Sequence, residues 1–410
     1  MTFASDPTPP ELKRTLGLPL LALYGLGTVL GAGIYVLIGE VAGRTGSFAP
    51  LSFLLASVLS ALTAFSFAEL GGRFPKSAGE AVYVFEGFGR RELSLVVGLL
   101  VAASGVISSA AIAQGFSGYL QTFIQVPDIG AEIVLISVLT TLAIWGIAES
   151  VTVAAVLTLI ELGALVLVVA LGLPGAMVSD LPAVGPVSGS VTGFAILSGA
   201  VLAFYAFIGF EDMVNVAEEV VDAPRTIGRA IAIVVVVTTL VYVGVAFVAV
   251  RTVPPTELAA NSAPLALLFE RITHMPPQAM SLVAMLAIVN GALIQIIMAS
   301  RVLYGLARQD LLPAIFGEVH SSTKTPLKGT IIVGLGVLAA TLLLPLVTLA
   351  ELTSAMILIV FTLVNVSLVL VKRRGPPPQD AWNVPMAIPL LGAVSTGTFA
   401  VFAIFEVFRG

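Results

Sequence analysis

Three carboxylates stand where a carboxylate is costly. Glu161 lies near the middle of "AVLTLIELGALVLV", a run that is otherwise apolar, and Glu211 and Asp212 follow Gly209 inside "FYAFIGFEDMVNVAEEV". An ionisable group at membrane depth is functional by default. Three uses are open to Glu161: to pick up and release a proton as its surroundings alternate between wet and dry, to bind sodium together with freed backbone carbonyls, or to stay a protonated acid bonded to a neighbouring carbonyl. Acidic residues directly after a glycine suit the start of a helix, whose free N–H groups and positive dipole end favour carboxylates. Glu211 therefore reads as a cap, with a charge facing a bound amine or a gate as the other reading. Unusual backbone accompanies these side chains. "GTVLGAGIYVLIGE" (Gly27 to Glu40) puts Gly31 and Gly33 within one turn, although each glycine costs a helix about 1 kcal/mol relative to alanine. That backbone has to be thin or unwound.

The parts for covalent and metal chemistry are missing. The chain has no cysteine, and its two histidines, His274 and His320, fall in connecting segments. Neither an HExxH nor a GxSxG motif occurs. A multipass enzyme is thereby disfavoured, and no metal site or cofactor is expected. The net charge of -5, with no basic stripe interleaved with aromatics, also argues against a nucleic-acid partner.

The elements that must position these residues are membrane helices. Of 410 residues 58% are hydrophobic and 10% charged, and the mean hydropathy is +1.07, far outside the range of soluble domains. Eleven apolar runs long enough to span a bilayer can be marked off, the first from Leu18 to Val41, the fifth from Val151 to Leu173, the sixth from Thr192 to Val220 and the last from Ile388 to Phe408. With the N-terminus in the cytoplasm, fifteen of the nineteen basic residues fall at cytoplasmic ends, as the positive-inside rule requires. The odd helix count then leaves the C-terminus outside. Residues 1–17 read as a cytoplasmic segment without the apolar core of a removed signal peptide, so the first helix is kept. Two connections, Lys76 to Arg91 and Gly305 to Gly329, have the pattern of short helices lying at the interface. Non-helical backbone at membrane depth is tolerated only in a protein interior or a cavity. Helices one and six, each the first of five, are therefore expected to be discontinuous, as in a transporter built from two inverted repeats with its site at the midplane. The repeats would be residues 18–173 and 192–371, with an additional transmembrane helix over 388–408. The fold class expected is thus an all-α membrane protein with a five-plus-five inverted-repeat core.

Four segments in order, "GLGTVLGAGIYVLIG", "FAELGGRFPKSAGEAVYVFEGFGR", "FIGFEDMVNVAEEVVDAPRTIGRAI" and "ASRVLYGLARQDLLP", resemble those of the amino acid-polyamine-organocation (APC) superfamily, nearest to its bacterial amino acid permeases and cationic amino acid transporter branch. The resemblance covers helices one to ten and implies amino acid transport by alternating access. Members usually have twelve helices, one more than here. Carried over, it implies that Gly31, Ala32, Gly33 and Ile34 hold the substrate carboxylate on exposed N–H groups. It likewise implies that Phe207, Ile208, Gly209 and Phe210 offer carbonyls to the ammonium and an aromatic lid. A valine at Gly33 should then obstruct only the cavity. Similar proton-coupled members carry a lysine near the place of Glu161, where sodium-coupled relatives bind their ion; the reversed charge leaves a proton as the expected coupling partner and sodium as the alternative.

Among the polar residues of helices three and eight, Ser104, Ser108, Ser109, Gln114, Asn290, Gln295 and Ser300, the first choice for substrate contact is Asn290. None of them is acidic, which favours a neutral L-amino acid over lysine or arginine. The expected setting is the plasma (inner) membrane, with the lipid bilayer as surroundings; nothing sets the oligomeric state. The other readings are a non-transporting amino acid sensor on the same fold, or a sodium-coupled or exchange-type transporter of cationic amino acids or polyamines.

Overall fold

The computed structural model describes residues 14–76, 79–146, 151–179 and 192–409. Most of the N-terminal segment, residues 1–13, lies outside the described residues. The first crossing is two helices, α1 (Leu18–Leu30) and α2 (Ala32–Thr45), separated at Gly31. There follow α3 (Ala49–Arg73), a short α4 (Gly79–Phe88), α5 (Arg91–Leu120), α6 (Asp128–Trp145) and α7 (Val151–Met177). The sixth crossing begins as α8 (Thr192–Phe204), tightens into a 3-10 turn over Tyr205–Phe207 and resumes as a 3-10 helix over Phe210–Glu219. The second half continues with α9 (Ala223–Thr252), two short helices α10 (Pro255–Ala260) and α11 (Pro264–Thr273), α12 (Gln278–Arg308), α13 (Leu327–Leu343) and α14 (Leu346–Lys372). A last helix, α15 (Ala387–Arg409), packs on α14 and α3.

The chain is an all-α, multipass membrane protein. Nine described helical stretches are long and apolar enough to cross a bilayer, and α1 and α13 are shorter apolar helices. Taking α1 with α2 and the pieces of the sixth crossing together gives eleven crossings, as the sequence pattern predicts. Four crossings lie between the two broken ones, so these run in opposite directions. Corresponding helices of the two halves lie against each other: α2 on α8, α3 on α9, α5 on α12 and α6 on α13. Leu167, Leu171, Val401 and Phe405 are exposed on α7 and α15, as acyl-chain solvent requires of outward faces.

Polar clusters tie the two ends. On the face that carries the basic helix ends, buried Glu69 of α3 accepts from Arg73, from Lys372 of α14 and from the Val384 N–H. On the opposite face Arg44 of α2 pairs with Glu351 of α14 at 2.6 Å and donates to Ser198 of α8, whose hydroxyl meets Glu406 of α15.

The structure departs from the sequence pattern in three places. The expected interfacial helix over 79–88 forms, but the connection after α12 contains only a 3-10 turn, Ala314–Gly317. Pro313, Pro326 and a positive φ at Asp310 interrupt any longer helix there. Helices α10 and α11, each with proline at its first position, fill a connection in which no helix was expected. The sixth crossing resumes in the tighter 3-10 form. Its period of three stacks Glu211, Val214 and Ala217 in one buried row, and ten such residues in succession are unusual.

Candidate functional site at the two helix breaks

Glycine has different work at each break. Gly209 has φ +124°, and a Cβ there would lie 2.6 Å from the Thr28 carbonyl oxygen, so neither the backbone angle nor the space admits another residue. A Cβ on Gly33 would lie 2.5 Å from the Ala206 Cα. Gly33 therefore lets the start of α2 touch the turn at Tyr205–Phe207. This corrects the expectation that a valine there would disturb the cavity alone. At Gly31 the nearest atom to an added Cβ is 3.7 Å away, which is ordinary contact distance.

The ends of the broken helices are satisfied unequally. At the sixth crossing the Gly209 N–H donates to the Glu211 carboxylate at 2.8 Å, and the Gly209 carbonyl accepts from the Thr28 hydroxyl at 2.9 Å. Glu211 thus caps the segment it begins. At the first crossing the Val29 carbonyl, near the end of α1, accepts from the Tyr242 hydroxyl at 2.6 Å. The N-terminus of α2 has neither a side-chain cap nor an acidic residue in its first turn. Its N–H groups keep the positive end of a helix dipole free for an anion.

That helix start borders a cavity. The space is about 30 Å³, lined by Gly31 and Gly33 and by the polar side chains of Thr28, Ser108, Tyr205 and Gln295. The Tyr205 hydroxyl and the Ser108 hydroxyl are 2.9 Å apart, which joins the sixth crossing to α5 across this space. A second cavity of about 20 Å³ shares Ser108, Ile208 and Gln295 with the first and adds Ser104, Thr353 and three carboxylates, Glu80, Glu211 and Asp212. On this scale one water needs about 10–15 Å³, so the two spaces hold a few waters and no amino acid. In this conformation both spaces are closed to an amino acid.

Of the residues expected from sequence, Gly31, Gly33 and Ile208 meet at the first cavity. Ala32 heads α2 between the two glycines, and Ile34 is fully buried behind them. Phe207 packs edge-on against Tyr242, and Phe210 lies against Phe67 and Phe361; neither lines the first cavity. Asn290 is buried beside Gly291, which lines the cavity, but points its amide oxygen where it has no partner among the described residues. Glu161 is buried on α7, away from both cavities. It is an electrostatic neighbour of the Tyr35 and Tyr242 hydroxyls, and its backbone carbonyl accepts from Tyr35 at 3.4 Å. Since Tyr242 also holds the Val29 carbonyl, one side chain links the α1 end to the surroundings of Glu161.

Tyr205, Thr28 and Glu80 were not singled out in the sequence. Tyr205 directly precedes "AFIG" and could have been found as the aromatic of that stretch. Glu80 sits in a segment that reads as a solvated interfacial helix, yet it is 5% exposed because α4 packs against α5, α14 and the 3-10 helix.

The model of the amino acid permease family matches residues 16–408. Among curated relatives, the vacuolar cationic amino acid transporter 4 of Arabidopsis thaliana is 31% identical, covering 90% of this chain and 65% of that protein. The methylthioribose transporter and the branched-chain amino acid permease BcaP of Bacillus subtilis (strain 168) are 26% and 25% identical, each over 97% of this chain and 89% of the relative. The chain spans 61% to 65% of the length of the Arabidopsis cationic amino acid transporters 2, 3 and 4.

Proposed function

The chain belongs to the amino acid permease family of the APC superfamily, and from that premise we propose that it carries a neutral L-amino acid across the plasma (inner) membrane by alternating access. The observation that carries this reading is the uncapped N-terminus of α2 at a cavity, opposite a sixth crossing already capped by Glu211. The substrate carboxylate would take the N–H groups at Ala32, Gly33 and Ile34, and the α-ammonium would meet carbonyls at Ile208 and the end of α8. Phe207 and Phe210 brace those carbonyls, and Tyr205 is the aromatic that closes over the substrate. Hydroxyls, an amide and apolar groups line this cavity, and Glu211 is engaged by a backbone N–H, which supports a neutral side chain. The repeats 18–173 and 192–371 would exchange the side to which the cavity opens, with the N-terminus cytoplasmic and the C-terminus outside.

Glu161 is the coupling residue in this reading, carrying a proton whose transfer is felt at the first break through Tyr242 and Val29; sodium is the alternative ion. Purified protein in liposomes tests both parts. Counterflow of labelled amino acid should saturate, and amino acid amides should compete poorly because they lack the carboxylate. Equal competition by acid and amide would overturn the backbone-donor site. Binding without counterflow would make the chain a sensor. A pH gradient without sodium should drive accumulation in the native protein and fail to do so in Glu161→Gln. Accumulation driven by sodium alone would give the coupling to that ion.

A further inference from the structure

The second cavity holds more carboxyl groups than a substrate site for neutral amino acids needs. Its three carboxylates come from two elements: Glu80 from the first turn of α4, and Glu211 and Asp212 from the start of the 3-10 helix. All three are at least nine-tenths buried, and the Asp212 Oδ2 has no hydrogen-bond partner among the described residues. Among the described residues no basic side chain lines the space. The titratable groups coupled to the cluster electrostatically are Tyr24 of α1, which feels Asp212 together with Arg301 of α12 and Glu219 of the 3-10 helix, and Tyr83 of α4, which feels Glu80. Glu69 and Arg73 of α3 pair with each other, and Lys372 of α14 is bound to Glu69. Among the described residues the three carboxylates do not gather closely enough to hold a metal ion. A space of about 20 Å³ takes one water. What fits is a proton.

We propose that Glu80, Glu211 and Asp212 form a proton-binding site, separate from Glu161, whose occupancy keeps α4 closed against the sixth crossing on the cytoplasmic side. The contact it controls is tight. Gly79, at φ +36°, brings the start of α4 so close that a Cβ would lie 2.8 Å from the Asn215 side chain and 3.0 Å from that of Val214. Three carboxyls in a dry space cannot all ionise. With a proton shared across the contact, α4 and the 3-10 helix attract; once the proton leaves to water, like charges face each other across the same contact and part it. Burial pushes the Glu80 carboxyl up to about 7, into the range of cytoplasmic pH. This inference rests on the orientation and transport cycle proposed above, but its test needs no transport.

The chain has no cysteine, so a single thiol can report on the cavity. Ser104→Cys places it on the cavity wall, and Ser321→Cys, exposed between α12 and α13, serves as the reference for the thiol's own pH dependence. Maleimide labelling of Ser104→Cys, normalised to the reference, should rise with pH by up to about tenfold per unit, the limit for an opening that releases one proton. Glu80→Gln and Asp212→Asn are made singly and together in that background. Each single variant should reduce the slope and the pair should flatten it; if the pair does not fold, the single variants decide. Identical profiles in parent and variants would overturn the proposal. So would protection of Ser104→Cys by lysine or arginine at constant pH, which would make the cluster a subsite for a cationic side chain. A pH-dependent profile in a protein that shows no counterflow would uphold the gate and remove only the transport reading.

Discussion

Gly31 and Gly33 are two residues apart, and the structure gives opposite expectations for them. In Gly31→Ala the new methyl meets nothing closer than 3.7 Å, so the fold should be unaffected while the methyl projects beside the uncapped N–H groups. In Gly33→Val the Cβ alone would sit 2.5 Å from the Ala206 Cα and 2.8 Å from its Cβ. Carbon atoms in contact are about 3.5–4.0 Å apart, so the two breaks must separate by roughly 1 Å. Overpacking of this kind costs about 1–3 kcal/mol, and the gain in helix propensity on replacing glycine returns less than about 1 kcal/mol of that. The net loss lowers the folded-to-unfolded ratio by roughly tenfold, since 1.4 kcal/mol is a factor of ten. Thermal unfolding of the purified proteins, with counterflow on the same samples, separates the two effects. Gly31→Ala should keep the parental midpoint and lose binding, and Gly33→Val should lose both. A parental midpoint for Gly33→Val would refute the packing argument, and full counterflow by Gly31→Ala would refute the role of the α2 N-terminus.

Tyr242→Phe removes the donor to the Val29 carbonyl and leaves a buried acceptor unpaired, a loss of about 1–3 kcal/mol that should appear as a lower unfolding midpoint. The sign of the pH dependence follows from Glu80. Its carboxyl is raised by burial from 4.5 to about 7, so its contribution to stability is complete below about 4.5 and is lost as the pH rises through about 7. The unfolding midpoint of the native protein should fall across that window relative to Glu80→Gln, and parallel curves would count against a buried Glu80. Arg44→Ala leaves Glu351 and Glu406, 7% and 9% exposed, without the cation they share, so it should lower the unfolding midpoint. It should also loosen the closed state: a cysteine placed at Ser198 should label faster in Arg44→Ala, and an unchanged rate would deny the pair a role in closure.

The architecture was legible because a bilayer constrains it in few terms. Apolar runs of spanning length, the basic residues between them and glycines within helices one and six led to eleven crossings with two breaks. The residues around the breaks were only partly legible. Gly31 and Gly33 stood out because glycine within a helix marks thin or unwound backbone, and Ile208 followed from the family resemblance; all three line the first cavity. Asn290 was chosen as an amide at membrane depth, but whether it or Gln295, five residues on, faces the cavity depends on the rotation of α12, which the even hydrophobicity of that helix does not encode. Glu80 was missed for a related reason. Its amphipathic segment looks like a surface helix, and only the contacts with α5, α14 and the sixth crossing turn its charged face inward.

The two breaks repeat in position but differ in chemistry, and the difference bears on how the halves divide their work. At the sixth crossing the freed N–H at Gly209 is answered by Glu211 from the same segment, so that end is neutralised within the chain. At the first crossing no side chain among the described residues caps the start of α2, so in the proposed site the anion is the substrate's own carboxylate. Two breaks alike in position are thus unlike in charge, which in the proposed site suits a substrate with a carboxylate at one end and an ammonium at the other. The same capping arrangement places Glu211 on the wall of the second cavity, beside Asp212 and opposite Glu80. The group that caps the sixth-crossing break therefore also belongs to the proposed proton-binding cluster. A change of protonation in that cluster would disturb the Gly209 N–H bond and with it the carbonyls offered to the ammonium, joining the closing of the gate to the shape of the site.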